Sequence, residues 1–201
     1  MSQVNLAQIF RHQAQKYGER LAVEKRLRNQ WQGWTWKTYY DTARALGLGL
    51  YRLGVRRGDR VGLLSENRLE WIGADMGIIC IGAITIPIYV TLPAAEVAYI
   101  LGNSDAKVFI AENQAAADKA LKMNADLPEL QKIVVIEADG CDLSHPLLMS
   151  FSALLDLGRG LAAEEPDLFE TLGDAIRTED MATFVYTSGT TGPPKGAMIS
   201  H

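Results

Sequence analysis

Five short apolar runs recur along this chain with helix-length segments between them: Arg60–Ser65, Ile84–Ile88, Lys107–Ala111, Lys132–Glu137 and Met181–Tyr186. They are dense in valine and isoleucine and show little polar alternation, which is how strands covered on both faces read. The segments between them carry helical spacing. Leu69, Ile72, Met76 and Ile79 mark one helix, Thr91 and Pro93 open a second through Leu101, and the alanine-rich stretch Asn113–Met123 forms a third. Strands that alternate with helices demand crossover connections, so the expected fold is α/β with a largely parallel sheet flanked by helices.

The first 60 residues extend the pattern. Leu6, Ile9, Phe10, Gln13 and Tyr17 predict a helix capped by Asn5 and stopped at Gly18. Strand-like runs follow at Leu21–Lys25 and Trp34–Lys37. Tyr39, Ala43, Leu46, Leu50 and Leu53 then form one apolar helical face ending at Gly54, and Gly58-Asp59 turns into the first buried strand. Residues 138–180 are the least regular, with a helix expected at Phe151–Leu157 and acidic turns around Glu164–Asp167. The segment 138–146 is the one candidate linker, and no domain boundary is placed there.

Composition narrows the class. Of 201 residues, 48% are hydrophobic and 22% charged, which excludes disordered, collagen-like and coiled-coil chains. Cys80 and Cys141 can form neither a disulfide framework nor a cysteine-rich zinc site, consistent with a reducing, cytoplasmic setting. The apolar stretch Trp71–Val90 contains Asp75 and Pro87 and changes period midway, so it reads as a buried helix and strand rather than a membrane span. The net charge of -4 argues against nucleic acid as a partner. The charge is unevenly spread: residues 1–60 hold 12 Lys+Arg against 4 Asp+Glu, and residues 61–201 hold 8 against 20. A solvated face explains the basic residues 20–60. The sharper reading is peripheral contact with anionic lipid or a phosphorylated ligand.

The stretch Tyr186-Thr187-Ser188-Gly189-Thr190-Thr191-Gly192-Pro193-Pro194-Lys195-Gly196 carries the chemistry. It follows an apolar strand and combines four hydroxyls, two glycines, a proline pair and a lysine. A polyphosphate offers many acceptor oxygens and several negative charges. Gly189 and Gly192 let backbone N–H groups approach it without a Cβ in the way. Thr187, Ser188, Thr190 and Thr191 add donors without charge, Lys195 adds a point charge, and Pro193 and Pro194 restrict the chain before it. The Walker loop fails on spacing, because Pro194 stands where its second glycine belongs and Gly196 follows Lys195 in place of Ser or Thr. A flexible surface turn is the plain alternative.

This eleven-residue stretch resembles the phosphate-loop signature of the adenylate-forming superfamily of acyl-CoA synthetases, luciferases and peptide-synthetase adenylation domains. Gly82-Ala83-Ile84-Thr85-Ile86-Pro87-Ile88 is similar to its upstream Gly-Ala…Pro strand element. Ser65-Glu66-Asn67, Glu70-Trp71, Ile88–Thr91, Pro93 and Val97–Leu101 are similar to the long-chain fatty acyl-CoA synthetase branch. The resemblance implies that residues 1–201 are the N-terminal part of an AMP-binding domain, ending just after the phosphate loop. It implies ATP-dependent conversion of a fatty acid to an acyl-adenylate and then, with coenzyme A, to acyl-CoA, with Mg2+ sharing the phosphate charge. Thr187, Ser188, Gly189, Thr190, Thr191, Gly192 and Lys195 would bind the nucleotide, and Lys195 would stabilise phosphate charge in catalysis. No residue is assigned to a metal. The nucleotide-base, ribose and acyl sites of such enzymes lie beyond His201, so the 201-residue chain is expected not to ligate alone. A non-catalytic nucleotide-binding piece and an enzyme with a carrier-protein thiol acceptor are the alternatives.

Several residues are set aside on local grounds. Trp31, Trp34 and Trp36 read as packing or a strand edge. Gly47-Leu48-Gly49 lies inside a helical pattern and is no dinucleotide fingerprint. His12, His145 and His201 are too isolated for zinc. Cys80 is a core thiol, and Glu164-Glu165 a solvated turn. His201 is the most interesting histidine, because it follows the phosphate loop.

Overall fold

A computed structural model describes residues 4–27, 29–187 and 193–201. In chain order the elements are α1 (Leu6–Tyr17), β1 (Leu21–Leu27), β2 (Gln30–Thr35), α2 (Trp36–Arg52), β3 (Arg60–Leu64), α3 (Leu69–Cys80), β4 (Ile84–Ile88), α4 (Ala94–Asn103), β5 (Ala106–Ala111) and α5 (Gln114–Leu121). A 3-10 turn at Asn124–Asp126 precedes β6 (Lys132–Val135), β7 (Leu148–Ser150), α6 (Phe151–Glu164), α7 (Leu168–Asp174), β8 (Met181–Thr187) and β9 (Lys195–Ser200).

The main sheet has seven strands in the order β7-β6-β5-β3-β4-β8-β9, and β1 and β2 form a separate antiparallel hairpin. Every pairing in the main sheet is parallel except β8 with β9. Alternation along the strands divides the core. Val61, Leu63, Val108, Ile110 and Val134 face one cluster with residues of α1, α2, α3, α6 and α7. Leu64, Ile86, Phe109, Ala111, Ile133 and Val135 face a second cluster with α4 and α5. Burial on both faces is why these strands lack polar alternation.

The helices on the first face touch backbone to backbone. A Cβ on Gly47 of α2 would lie 2.6 Å from the Gly77 carbonyl oxygen of α3, and one on Gly77 2.7 Å from the Ala43 carbonyl oxygen. Gly47-Leu48-Gly49 is therefore a packing seam.

The structure corrects several local readings. Trp36 and Lys37 begin α2 rather than end a strand, because the Thr35 side chain accepts from the Thr38 N–H and caps the helix there. α6 runs on through Gly158 to Glu164, where Arg52 pairs with Glu164 at 3.0 Å, so that carboxylate is not in a free turn. β7, α7 and β9 are additional elements. Asn5 caps α1 as expected. Its Oδ1 accepts from the Gln8 N–H, and its Nδ2 donates to the carbonyls of Gly173 and Ile176.

Candidate functional site

The phosphate-loop sequence lies between the antiparallel strands β8 and β9, with Thr187 directly opposite Lys195 and Tyr186 opposite Gly196. Ser188, Gly189, Thr190, Thr191 and Gly192 fall outside the described residues. Thr187 and Lys195 are exposed at the mouth of the hairpin, and Lys195 forms no ion pair among the described residues. Two tyrosines tie this mouth to α4. The Tyr186 hydroxyl donates to Asn103 Oδ1 at 2.7 Å, and the Tyr99 hydroxyl donates to the Pro194 carbonyl at 3.3 Å. Burial, with Tyr99 and Asp105 nearby, raises the Tyr186 hydroxyl pKa, so it stays a protonated donor. Gly196 has no side chain because the Tyr186 ring lies across it, 3.2 Å from where a Cβ would stand. The chain entering the loop at Thr187 and leaving it at Lys195 is therefore held at both ends by side chains that sequence spacing does not reveal.

A hollow of about 320 Å³ adjoins this mouth. Ser65, Glu66, Asn67 and Trp71 line it from the β3–α3 side, Pro87 to Val90 from β4, and Val185 and Tyr186 from β8. Proline explains the opening. β4 sits between β3 and β8, and Pro87 has no N–H to give to a ladder. β4 registers with β8 only at Thr85↔Thr183, while its pairing with β3 continues to Leu64↔Ile88. The β4–β8 seam is thus unpaired towards the carboxyl ends of the strands, and the hollow lies there. The loop after β4 is pinned from below, since Lys119 Nζ donates to the carbonyls of Val90 and Leu92 at 2.8 and 2.7 Å.

In open α/β sheets ligands bind beyond the carboxyl ends of the strands, where the strand order reverses. Here the order reverses around β3, and the crevice between β3 and β5 is filled. Arg68 bonds Glu70 and Glu137 at 2.9 Å each and lies 3.4 Å from Glu112. Burial pushes the Glu70 carboxyl up, but hydrogen bonding and charge from Arg68 outweigh it and leave the pKa below the ordinary value. An open cleft lined by Glu70, Glu137 and Phe151 flanks that cluster, and the hollow on the other side of β3 is the one that adjoins the hairpin mouth, through Val185 and Tyr186.

Ser65–Asn67, Trp71 and Ile88–Val90 are far apart in sequence and meet around one hollow. Their position just after parallel strands was the available signal. His201 is not part of the site. β9 runs antiparallel, so six residues of rise place His201 roughly 20 Å from Lys195. Its N–H bonds the Asp180 carbonyl at 3.0 Å, and burial lowers its pKa. Trp34 and Trp36 pack with Tyr39, while Trp31 remains 64% exposed. Cys80 is buried, and burial raises its thiol pKa far above the ordinary value. Among the described residues no three or more His, Cys, Asp or Glu are grouped to hold a metal, and no helix is long and apolar enough to cross a membrane.

Comparison with known proteins places this geometry. A long-chain-fatty-acid–CoA ligase from Xenopus laevis is 32% identical over 198 residues, which is 98% of this chain and 26% of that protein. One from Mycobacterium bovis is 36% identical over 170 residues, 83% of this chain and 27% of that protein. The chain therefore spans about a quarter of the length of these curated relatives. Among solved structures, an anthranilate CoA ligase in complex with anthranoyl-AMP superposes with TM-score 0.76 at 27% identity, over 98% of this chain and 34% of that one. The N-terminal domain of FACL13 from Mycobacterium tuberculosis superposes with TM-score 0.73 at 25% identity, over 99% of this chain and 44% of that one. The AMP-binding enzyme family matches residues 10–201, a span that takes in the parallel sheet, the hollow and the hairpin beside it. By that match the chain belongs to the AMP-binding enzyme family.

Proposed function

We propose that these residues form the N-terminal, phosphate-gripping part of an AMP-forming fatty acid–CoA ligase. Its carboxylate substrate attacks the α-phosphate of ATP, pyrophosphate leaves, and the acyl-adenylate passes its acyl group to the thiol of coenzyme A. A free carboxylate is a poor acyl donor because its charge repels nucleophiles. Joining it to AMP gives a mixed anhydride with a good leaving group. The observation that carries the reading is the β8–β9 hairpin, which sets Thr187 across from Lys195 at the mouth of the segment SGTTGPP.

In this proposal the hydroxyls of Thr187, Ser188, Thr190 and Thr191 and backbone N–H groups freed by Gly189 and Gly192 bind the β- and γ-phosphates. The Lys195 ammonium balances the charge that grows on the leaving pyrophosphate. Mg2+ would enter as the counterion of ATP, and no described residue is given a bond to it. The CoA acceptor and the fatty acyl substrate are inferred from the named relatives. Because the chain spans about a quarter of their length, the 201 residues alone are expected to grip nucleotide without completing ligation.

ATP–pyrophosphate exchange with palmitate tests the proposal, on this chain and on the longest protein product that contains it. Replacing one charge-stabilising donor of this kind costs about 10²–10³ in rate. Lys195→Ala should show that loss in the longer product. Unchanged exchange together with unchanged ATP affinity would refute the assignment. Acyl-CoA formation by the 201-residue chain alone would refute its incompleteness.

A further inference from the structure

The β1–β2 hairpin stands outside the main sheet, and its two faces differ. Residues 23–25 of β1 line a cleft shared with Asn67, Arg68 and Trp71, and by strand alternation Val23 and Lys25 are on the face opposite Glu24 and Arg26. On the outer face Arg26 lies directly across from Trp31 and Glu24 across from Gly33, so these positions point the same way. Leu21 shares that face: a Cβ on Gly33 would lie 2.6 Å from Leu21 Cδ1 and 3.0 Å from Glu24 Cγ. The missing side chain at Gly33 lets Leu21 lie across the hairpin. Trp31 is 64% and Leu21 54% exposed.

A cation neighbours each apolar group: Arg26 is paired across from Trp31, and Arg20 precedes Leu21 in the chain. Lys16 and Arg20 flank the Tyr17 ring at 5.1 and 5.9 Å, beside Leu21 in sequence. Residues 16–31 carry five Lys or Arg against Glu19 and Glu24, in a chain whose net charge is -4. Lys16, Arg20 and Arg26 form no ion pair among the described residues, whereas Arg11, Arg44, Arg52, Arg57, Arg60 and Arg68 all do.

We propose that the outer face of this hairpin docks on an anionic bilayer surface, with Trp31 and Leu21 in the interfacial layer and Lys16, Arg20 and Arg26 against lipid phosphates. Two apolar side chains are too little for a protein partner, since a stable interface buries about 800 Å² on each side. An indole ring beside arginines is instead the composition of a membrane-interface anchor. Uniform basic charge would serve a soluble polyanion without the exposed Trp31 and Leu21. The position suits the docking, because Asn67 and Trp71 line both the cleft behind the hairpin and the hollow beside the phosphate-loop mouth. The inference is independent of the chemistry proposed for that hollow.

Co-sedimentation of the chain with vesicles tests it. One set is phosphatidylcholine alone, and the other contains equal parts of phosphatidylcholine and phosphatidylglycerol. Binding is expected only to the second set and should weaken as salt screens the surface over about 10 Å. Each Lys or Arg brought to an anionic surface contributes roughly fivefold in partitioning, so Lys16→Gln, Arg20→Gln and Arg26→Gln together should lower it about a hundredfold. Tryptophan emission should shift to the blue on anionic vesicles, and Trp31→Ser should remove that shift. All four positions are on the surface, and far-UV circular dichroism of each variant should match the parent. The proposal is overturned by equal binding to both vesicle sets, by no binding to either, by full binding of the triple variant, or by retention on heparin without vesicle binding.

Discussion

Gly158 and Gly160 sit two residues apart in α6 and should answer the same substitution with opposite signs. A Cβ on Gly158 would collide with the Ala45 carbonyl oxygen of α2 and lie 2.7 Å from both Ala45 C and Gly49 N. These are backbone atoms of a buried helix, so no side chain can swing aside. Ordinary contact is about 3.5–4.0 Å, and α2 and α6 must part by roughly 2 Å to admit the methyl group. Overpacking of this kind costs about 1–3 kcal/mol, and a hit on three backbone atoms belongs at the upper end. The better helix propensity of alanine returns about 1 kcal/mol, leaving Gly158→Ala destabilised by about 2 kcal/mol. Gly160 meets nothing within 4 Å. Gly160→Ala keeps only the propensity term and should stabilise by about 1 kcal/mol. For a chain of this size the shifts correspond to a Tm about 4–8 °C lower for the first variant and about 2–4 °C higher for the second. Thermal and urea unfolding followed by circular dichroism would read them. Equal shifts for the two variants, or a Gly158→Ala protein as stable as its parent, would show that α2 and α6 do not touch at these backbones.

Asn5 is 2% exposed, and its side chain makes three hydrogen bonds, one that caps α1 and two that join it to the carbonyls at the end of α7. Asn5→Ala should lower the unfolding free energy by about 2–4 kcal/mol through the lost cap and two stranded carbonyls. Asn5→Asp keeps the cap but not the donors, so the urea midpoint should not recover. Tyr186→Phe removes the bond to Asn103 and should cost about 1 kcal/mol, with faster amide exchange at Thr187 and Lys195 as the local signature. Burial raises the Asp75 carboxyl pKa above its unfolded value. The folded state then holds that proton longer than the unfolded chain, and stability falls as pH rises from the ordinary carboxylate range through the folded pKa. Asp75→Asn should raise stability at neutral pH and flatten this part of the pH profile. A profile of unchanged slope in urea titrations would show that Asp75 is not its source.

The parallel strands were legible because burial on both faces writes itself as runs of valine and isoleucine, as in Lys132–Val135 and Arg60–Leu64. Asn5 was legible because a cap is a local bargain between one side chain and the next turn. The elements that escaped depend on distant partners. β9 reads KGAMIS, mostly exposed, with a glycine near its start. It is a strand because β8 offers it a ladder, a relation no window of residues contains. Gly158 looks like a place to stop a helix, yet α6 continues because α2 needs the missing side chain there.

The candidate site divides along the same line. The phosphate role proposed for the segment from Thr187 to Lys195 rests on residue types, with hydroxyls, glycines and an ammonium close together in sequence. The segment's placement does not show in those residues. It depends on Tyr99 reaching Pro194, on Tyr186 reaching Asn103, and on Pro87, nearly a hundred residues upstream, withholding one N–H from the sheet. A proline in an interior strand looks like a defect when read locally. In the folded chain it releases the β4–β8 seam near the hairpin mouth, so the hollow and that mouth share an end of the sheet. Restoring a donor at position 87 would let the two strands pair further towards that end, into the space the hollow occupies. The proline is therefore better understood as what keeps the site open than as a tolerated flaw in the fold.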